Sequence, residues 1–211
     1  MIIVLLGAPG AGKGTQAKAI CENFGMSHIS TGDILRYEIK EGTDVGKKAA
    51  DFVESGKLVP DEIIIEIIKK RISSVGLEKG FLMDGFPRNL KQAKMFSEMM
   101  DELGIKLDKV INIAVDEKEI IERLSNRRVC SSCKSIFSAG KKGESLTKCP
   151  KCGVPLIRRK DDEPEVIRHR LEVYKSETSP LIDFYNNKGL LVNVDGSGDK
   201  GEITERILKV L

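Results

Sequence analysis

Gly7-Ala8-Pro9-Gly10-Ala11-Gly12-Lys13-Gly14-Thr15 is the stretch whose residue types and spacing speak most directly of chemistry. Glycines let backbone N–H groups approach phosphate oxygens closely. A helix beginning there adds unpaired N–H groups and the positive end of its dipole, and Lys13 adds a full charge. The general phosphate-loop pattern places Ser or Thr directly after the lysine. Here Gly14 intervenes, so no magnesium-binding hydroxyl is assigned to Thr15. On this reading the chain handles a nucleoside triphosphate.

Six arginines extend that chemistry: Arg36, Arg88, Arg123, Arg127, Arg159 and Arg170. Phosphoryl transfer asks for positioned reactants and positive charge around the transferring group. A hydroxyl acceptor calls for a carboxylate base, whereas a phosphate acceptor is already an anion and needs cations to relieve repulsion. Many arginines with no clear base therefore favour an acceptor that is itself a phosphate. Arg88, in a Gly-Phe-Pro-Arg turn after an apolar run, is the strongest candidate. His28 and His169 are too separated to suggest a histidine-based site.

Cys130, Cys133, Cys149 and Cys152 follow the pattern C-x2-C-x15-C-x2-C. Each C-x-x-C pair wraps a tight knuckle, and two knuckles complete a tetrahedral thiolate site. Four protein ligands leave no open position, so the metal is structural. Zinc is the default ion, and four thiolates also suit iron. Cys21 falls in a helical pattern and reads as a small core residue. Between Asn126 and Lys160 ten basic residues face one acid, Glu144, giving +9. The whole chain is +3, which leaves −6 on the remainder. A basic flap on a mildly acidic body suits a polyanionic ligand or a nucleic acid.

These groups need elements to hold them. Apolar runs at Ile2–Leu6, Phe81–Met83, Val110–Val115 and Leu190–Val194, with a weaker one at His28–Ile29, predict buried strands. Helical patterns cover Gln16–Asn23, Asn89–Leu103, Asp116–Arg127, Pro164–Tyr185 and Glu202–Leu211. Another begins at Asp61, an N-cap candidate after Pro60. The alternation predicts a parallel sheet with helices on both faces and ligands at the carboxyl ends of its strands. The glycine loop and the Asp84–Arg88 turn both follow strands and so should face one crevice. Ser30–Val59, with two helical stretches, and Asn126–Asp162, with almost no regular pattern, read as insertions on the crevice side. At 211 residues, 40% hydrophobic and 32% charged, the chain has the composition of a soluble globular protein. No apolar stretch approaches the roughly 18 residues of a membrane span. With no secretory signal evident, a cytoplasmic location is expected.

With these residues assembled, the chain resembles the adenylate kinase family, in its bacterial form with a long zinc-binding lid. The resemblance rests on the glycine loop, Ser30-Thr-Gly-Asp-Ile-Leu-Arg36, Asp84-Gly-Phe-Pro-Arg88 with Gln92, and Arg159-Lys-Asp-Asp162. It implies a P-loop three-layer sandwich with a five-stranded parallel sheet. Residues 1–29, 60–125 and 162–211 would be the core, 30–59 an AMP-binding insertion and 126–161 the lid. The implied reaction is MgATP + AMP ⇌ 2 ADP in a monomer without nucleic-acid or membrane partners. By resemblance, Gly10, Ala11, Gly12, Lys13, Gly14 and Thr15 cradle the ATP phosphates. Arg127, Ile136 and Phe137 meet ATP, Gly198 meets its adenine through backbone, and Arg123 lines that side. Thr31, Arg36, Lys57, Leu58, Val59, Gly85, Phe86, Pro87, Arg88 and Gln92 hold AMP, while Arg159 and Arg170 reach across to the phosphates. Magnesium is held by phosphates and water, with Asp84 acting through water. Phe137 stands where the family often has Tyr, so packing is kept and a hydroxyl lost.

Two other readings compete. One is a kinase for another nucleoside monophosphate, UMP or CMP. The four-cysteine lid and Thr31 with Gln92 fit the adenylate member better. The other is a nucleic-acid-binding ATPase carrying a zinc ribbon. Its ribbon would have only Phe137 for base stacking.

Overall fold

The computed structural model describes residues 1–76, 78–138 and 146–211. Most of the Lys- and Gly-rich stretch Ala139–Thr147, including Lys141, Lys142 and Glu144, lies outside the described residues.

Strand β1 (Ile2–Leu6) is apolar at all five positions because both its faces are covered. Ile2, Val4 and Leu6 enter one core, and Ile3 and Leu5 enter another on the opposite face. Around it lie β2 (Ser27–Ser30), β3 (Phe81–Asp84), β4 (Lys109–Ala114) and β8 (Leu191–Asp195). Their order is β2-β3-β1-β4-β8, and every pairing is parallel. Parallel pairing places every strand's carboxyl end on one edge. The first core packs α4 (Asp61–Val75), α5 (Leu90–Glu102) and α8 (Pro180–Asn187) under the sheet. The second packs α1 (Lys13–Phe24) and α9 (Lys200–Leu208) on the other face. A third, smaller cluster joins α6 (Glu117–Ser125) to α7 (Pro164–Val173) through Ile120, Leu124, Ile167 and Leu171.

The two expected insertions differ in character. Residues 30–59 form two helices, α2 (Thr31–Glu41) and α3 (Asp44–Ser55), capped by Ser30 and Thr43 side chains. Residues 126–162 are more regular than their sequence suggests. β5 (Arg127–Cys130), β6 (Ile136–Ser138) and β7 (Leu156–Ile157) make an antiparallel sheet in the order β6-β5-β7. Strands this short, with two arginines opening β5 and with β6 and β7 turned largely to solvent, leave little hydrophobic period to read.

Several boundaries are corrected. α1 starts at Lys13 rather than Gln16, capped by Gly12 at φ 97°, so Lys13 is its first residue. Pro60, not Asp61, caps α4, and Asp61 is its first helical residue. The Asp116–Arg127 pattern ends as a helix at Ser125, and Arg127 opens β5. The single helix expected over Pro164–Tyr185 is broken by a π turn at Tyr174–Thr178, directly ahead of Pro180. Pro180 has no N–H to give the preceding turn, and its ring would strike the carbonyl four residues back. Widening the turn by one residue removes that conflict.

α2 and α3 cross at Gly46. A Cβ there would lie 2.1 Å from the Glu38 carbonyl oxygen. Gly46→Ala should therefore cost about 1–3 kcal/mol or more by forcing the helices apart. Gly201, in the first turn of α9, has nothing within 4 Å of such a Cβ. Gly201→Ala should be neutral or gain up to about 1 kcal/mol from helix propensity. Thermal melts of the two variants check this, and equal melting temperatures would contradict the close crossing.

Candidate active site

Lys13 and all six arginines of the sequence reading line one crevice of about 890 Å³ at the carboxyl edge of the main sheet. Gly10, Gly12, Gly14, Thr15, Asp84, Gly85, Ile136, Phe137 and Gly198 share its wall. The glycine loop bridges β1 and α1, with Gly7, Gly10 and Gly12 at φ 140°, 89° and 97°. A Cβ on Gly10 would lie 2.8 Å from Leu124 Cγ, so α6 packs against the loop only because that position is bare. Lys13 Nζ donates to the carbonyls of Gly7 at 2.7 Å and Ala8 at 2.9 Å, which folds the ammonium over its own loop.

Four of the seven cations have carboxylate partners. Arg36 pairs with Asp33 at 2.8 Å and Arg123 with Glu119 at 2.5 Å. Arg127 makes a two-pronged contact with the fully buried Asp162, one prong being Nε to Oδ2 at 2.7 Å. Arg170 Nη1 meets Asp161 Oδ2 at 3.0 Å and Asp162 Oδ1 at 3.5 Å. The other three, Lys13, Arg88 and Arg159, have no ion pair within salt-bridge distance among the described residues.

Those three have lowered pKa values, as has Arg170. Burial, opposed by Asp84 but aided by Arg88, Arg170 and Arg127, pulls Lys13 down to about 8. Burial, then the neighbouring Arg170, brings Arg88 to about 10. Burial with Arg36 and Arg127 does the same to Arg159. All three stay charged at neutral pH. Asp161 shows the reverse balance: burial raises its pKa, but Arg170, Arg127, Arg36 and Arg159 together hold it below the usual value.

Arg88 is fixed from several sides. Its Nε donates to the Gly85 carbonyl at 2.7 Å, and its backbone N–H donates to Gln92 Oε1 at 2.7 Å. Gln92 Nε2 in turn donates to Asp61 Oδ1 at 2.8 Å, and its backbone N–H is capped by Asn89. Gln92 is thus tied into the loop that presents Arg88, while also lining a second, smaller cavity. Thr31, Arg36, Lys57, Leu58, Val59, Gly85 and Arg88 share that cavity. Thr31 Oγ1 donates to the Gly85 carbonyl at 2.8 Å, which locks α2 to the end of β3.

Not every residue of the sequence reading turns toward the crevice. Phe86 is fully buried and packs edge-on against Phe96, with ring centroids 5.4 Å apart. Ala11 is buried in the core and meets Arg123 through its carbonyl. Pro87 lies in the wall of a third cavity, beside Lys13 and Arg170. Sequence reasoning gave no role to Asp161 and Asp162, the carboxylates that hold Arg127 and Arg170. Their adjacency to Arg159 was the available signal. His28 Nε2 sits 3.5 Å from Asp84 Oδ2 but outside hydrogen-bond geometry, so this buried nitrogen has no hydrogen-bond partner. No spacing in the sequence joins those two.

The four cysteine sulfurs lie within 4.8 Å of one another, with Cys130–Cys152 at 3.3 Å and Cys133–Cys149 at 3.6 Å. A tetrahedron with zinc–sulfur arms of about 2.3 Å has edges of about 3.8 Å. Cys133 N–H donates to Cys130 Sγ at 3.4 Å, the bond of a metal knuckle. The cluster could hold one metal ion and ties β5 to the turn before β7.

The family model described as adenylate kinase matches residues 5–190. The adenylate kinase of Caldicellulosiruptor saccharolyticus is 48% identical, covering all of this chain and 99% of the relative. Those of Archaeoglobus fulgidus and Methanosarcina barkeri are 46% and 45% identical, each over all of this chain and 98% of the relative.

The lowered pKa of Lys13 carries a pH dependence. Below pH about 8 the ammonium is charged, and above it the proton must be regained on binding an anion. Affinity for ATP should therefore weaken above that pH, by up to about tenfold per further unit. Lys13→Arg, whose charge does not titrate there, should flatten the profile. Calorimetric titration between pH 7 and 9.5 measures it, and an unchanged wild-type affinity would contradict the shift.

Proposed function

The chain belongs to the adenylate kinase family and is an ATP:AMP phosphotransferase, and we propose that Lys13, Arg88 and Arg159 are its principal phosphate-binding cations. The observation that carries this reading is that, of Lys13 and the six crevice arginines, these three alone have no carboxylate partner among the described residues. Phosphate oxygens would supply the missing counter-charge.

In this reading Gly10–Thr15 cradle the ATP phosphates with backbone N–H groups, and Lys13 turns from the Gly7 and Ala8 carbonyls to meet them. Arg123, Arg127, Ile136 and Phe137 flank ATP, and the Gly198 backbone faces its adenine. Thr31, Arg36, Lys57–Val59, Gly85–Arg88 and Gln92 receive AMP, with Phe86 serving as a core anchor for that loop. Arg159 and Arg170 span the two sites. The acceptor arrives as an anion, so the arginines relieve repulsion between two phosphates rather than assist a base. Magnesium on the phosphates would withdraw negative charge, and Asp84 at the end of β3 is placed to hold its water.

Residues 126–161 act as a lid over the core formed by 1–29, 60–125 and 162–211, with 30–59 as the AMP-binding unit. Support comes from Ile136, Phe137 and Arg159, which bring that segment into the crevice wall. A closed lid excludes water, the competing acceptor. Zinc, held by Cys130, Cys133, Cys149 and Cys152, would make the small sheet rigid without touching the reaction. No helix of the described residues is long and apolar enough to cross a membrane. A cytoplasmic monomer that binds ATP, AMP and ADP, with no nucleic-acid or membrane partner, fits this reading.

Arg88→Ala should lower kcat/KM for AMP by about 10³ or more while the fold is kept. Steady-state assays with circular dichroism check both parts, and a loss of less than about tenfold would overturn the role given to Arg88. Cys149→Ser should lower the melting temperature and speed amide exchange across β5–β7 while kcat near room temperature changes little. Purified protein holding neither zinc nor iron, or lid exchange unaffected by the substitution, would contradict a structural metal.

A further inference from the structure

The π turn ahead of Pro180 does more than accommodate a proline. Three serine and threonine side chains lie in or beside it. Ser176 bonds the carbonyl of Val173 and Ser179 bonds that of Lys175, the local pattern of hydroxyls in helices. Thr178 differs: its Oγ1 donates to the backbone carbonyl of Arg88 at 2.7 Å, ninety residues away in the chain. In an unbroken α-helix that hydroxyl would find the Tyr174 carbonyl instead. Here the Ser179 N–H takes the Tyr174 carbonyl at 2.8 Å, and the wide turn directs Thr178 onto the Arg88 loop. Single π turns of this kind are frequent at functional sites.

We infer that Thr178 is a positioning residue for Arg88. The peptide groups on both sides of Arg88 are then held, the N–H by Gln92 Oε1 and the C=O by Thr178 Oγ1. Thr178 lines neither the main crevice nor the AMP-side cavity; it lines the third cavity beside Pro87, Arg88 and Arg170, and there its hydroxyl is spent on the Arg88 carbonyl, so it acts through Arg88. The same helical rod carries Arg170, which lines the crevice eight residues earlier. Its stem fits there because Gly56 has no Cβ, which would lie 2.6 Å from Arg170 Cγ. One rod thus sets two arginines against the same phosphate region, Arg170 directly and Arg88 through Thr178. This deepens, and rests on, the reading that Arg88 holds the phosphate of AMP.

The test compares Thr178→Val, which keeps the shape and removes the donor, with Thr178→Ser, which keeps the donor. Each is made in the wild-type chain and in Arg88→Ala, with kcat/KM for AMP and affinity for ATP measured. Thr178→Val should lose about tenfold in kcat/KM for AMP, while ATP affinity stays within about twofold. Thr178→Ser should stay within about twofold of the parent. In the Arg88→Ala background Thr178→Val should cost almost nothing further, since the group it positions is gone. Equal losses from Val and Ser, a parallel fall in ATP affinity, or an undiminished loss in the Arg88→Ala background would each overturn the inference. A silent Thr178→Val beside a damaging Arg88→Ala overturns it alone. A silent Arg88→Ala overturns the parent reading and this one with it.

Discussion

Lys13 and six arginines converge on one crevice, and their mutual repulsion is the constraint around which this protein is arranged. Like charges in a partly desolvated site repel far more strongly than they do in water. The fold answers with four carboxylates. Asp33 and Glu119 sit one helical turn from the arginines they hold. Asp161 and Asp162 enter from the end of the lid, and Asp162 touches both Arg127 and Arg170 while fully buried. Removing a partner from such a pair would leave a buried charge unmatched, which is why the cluster stands or falls together. The charge left over, on Lys13, Arg88 and Arg159, is what we propose the phosphates match.

Delivery of those charges follows from the parallel sheet. With every strand running one way, the segments after β1, β2, β3 and β4 all emerge at one edge. β1 leads into the glycine loop, β2 into α2 with Thr31 and Arg36, and β3 into Asp84 and the Arg88 turn. Thr31 and Gln92 then lash these segments together by hydrogen bonds to Gly85 and Arg88. Opposite them, the small antiparallel sheet brings Arg127, Ile136 and Phe137 over the crevice, and the α7 rod adds Arg170. The four thiols stand where that sheet has almost no apolar core of its own, so a metal there would replace packing as the source of rigidity.

Much of this was legible in the residues. The phosphate loop, the five-stranded parallel sheet and the four-cysteine site follow from short-range pattern, where spacing alone defines the geometry. The meeting of the glycine loop with the Asp84–Arg88 turn also followed, because sheet topology decides which loops share an edge. What escaped the sequence depends on partners distant in the chain. Asp61 looked like a cap for its own helix, yet its carboxylate serves Asn89 and Gln92 some thirty residues on. Phe86 sits between Gly85 and Arg88, which line the crevice, but turns into the core. The lid strands escaped because two to four residues carry no measurable period. The π turn escaped because Pro180 marks a break without specifying its form.

The most direct test of the account is calorimetric binding of a mimic that joins two adenosines through one chain of phosphates. Lys13, Arg88 and Arg159, unpaired among the described residues, would each be replaced by Gln, with Arg123→Gln as the carboxylate-paired comparison. The account predicts one mimic per chain. It also predicts that each of the three unpaired positions costs about tenfold or more in affinity at low salt, and Arg123→Gln distinctly less. Two mimics bound per chain, or an Arg123→Gln loss equal to the other three, would contradict the claim that the unmatched charges are what the phosphates complete.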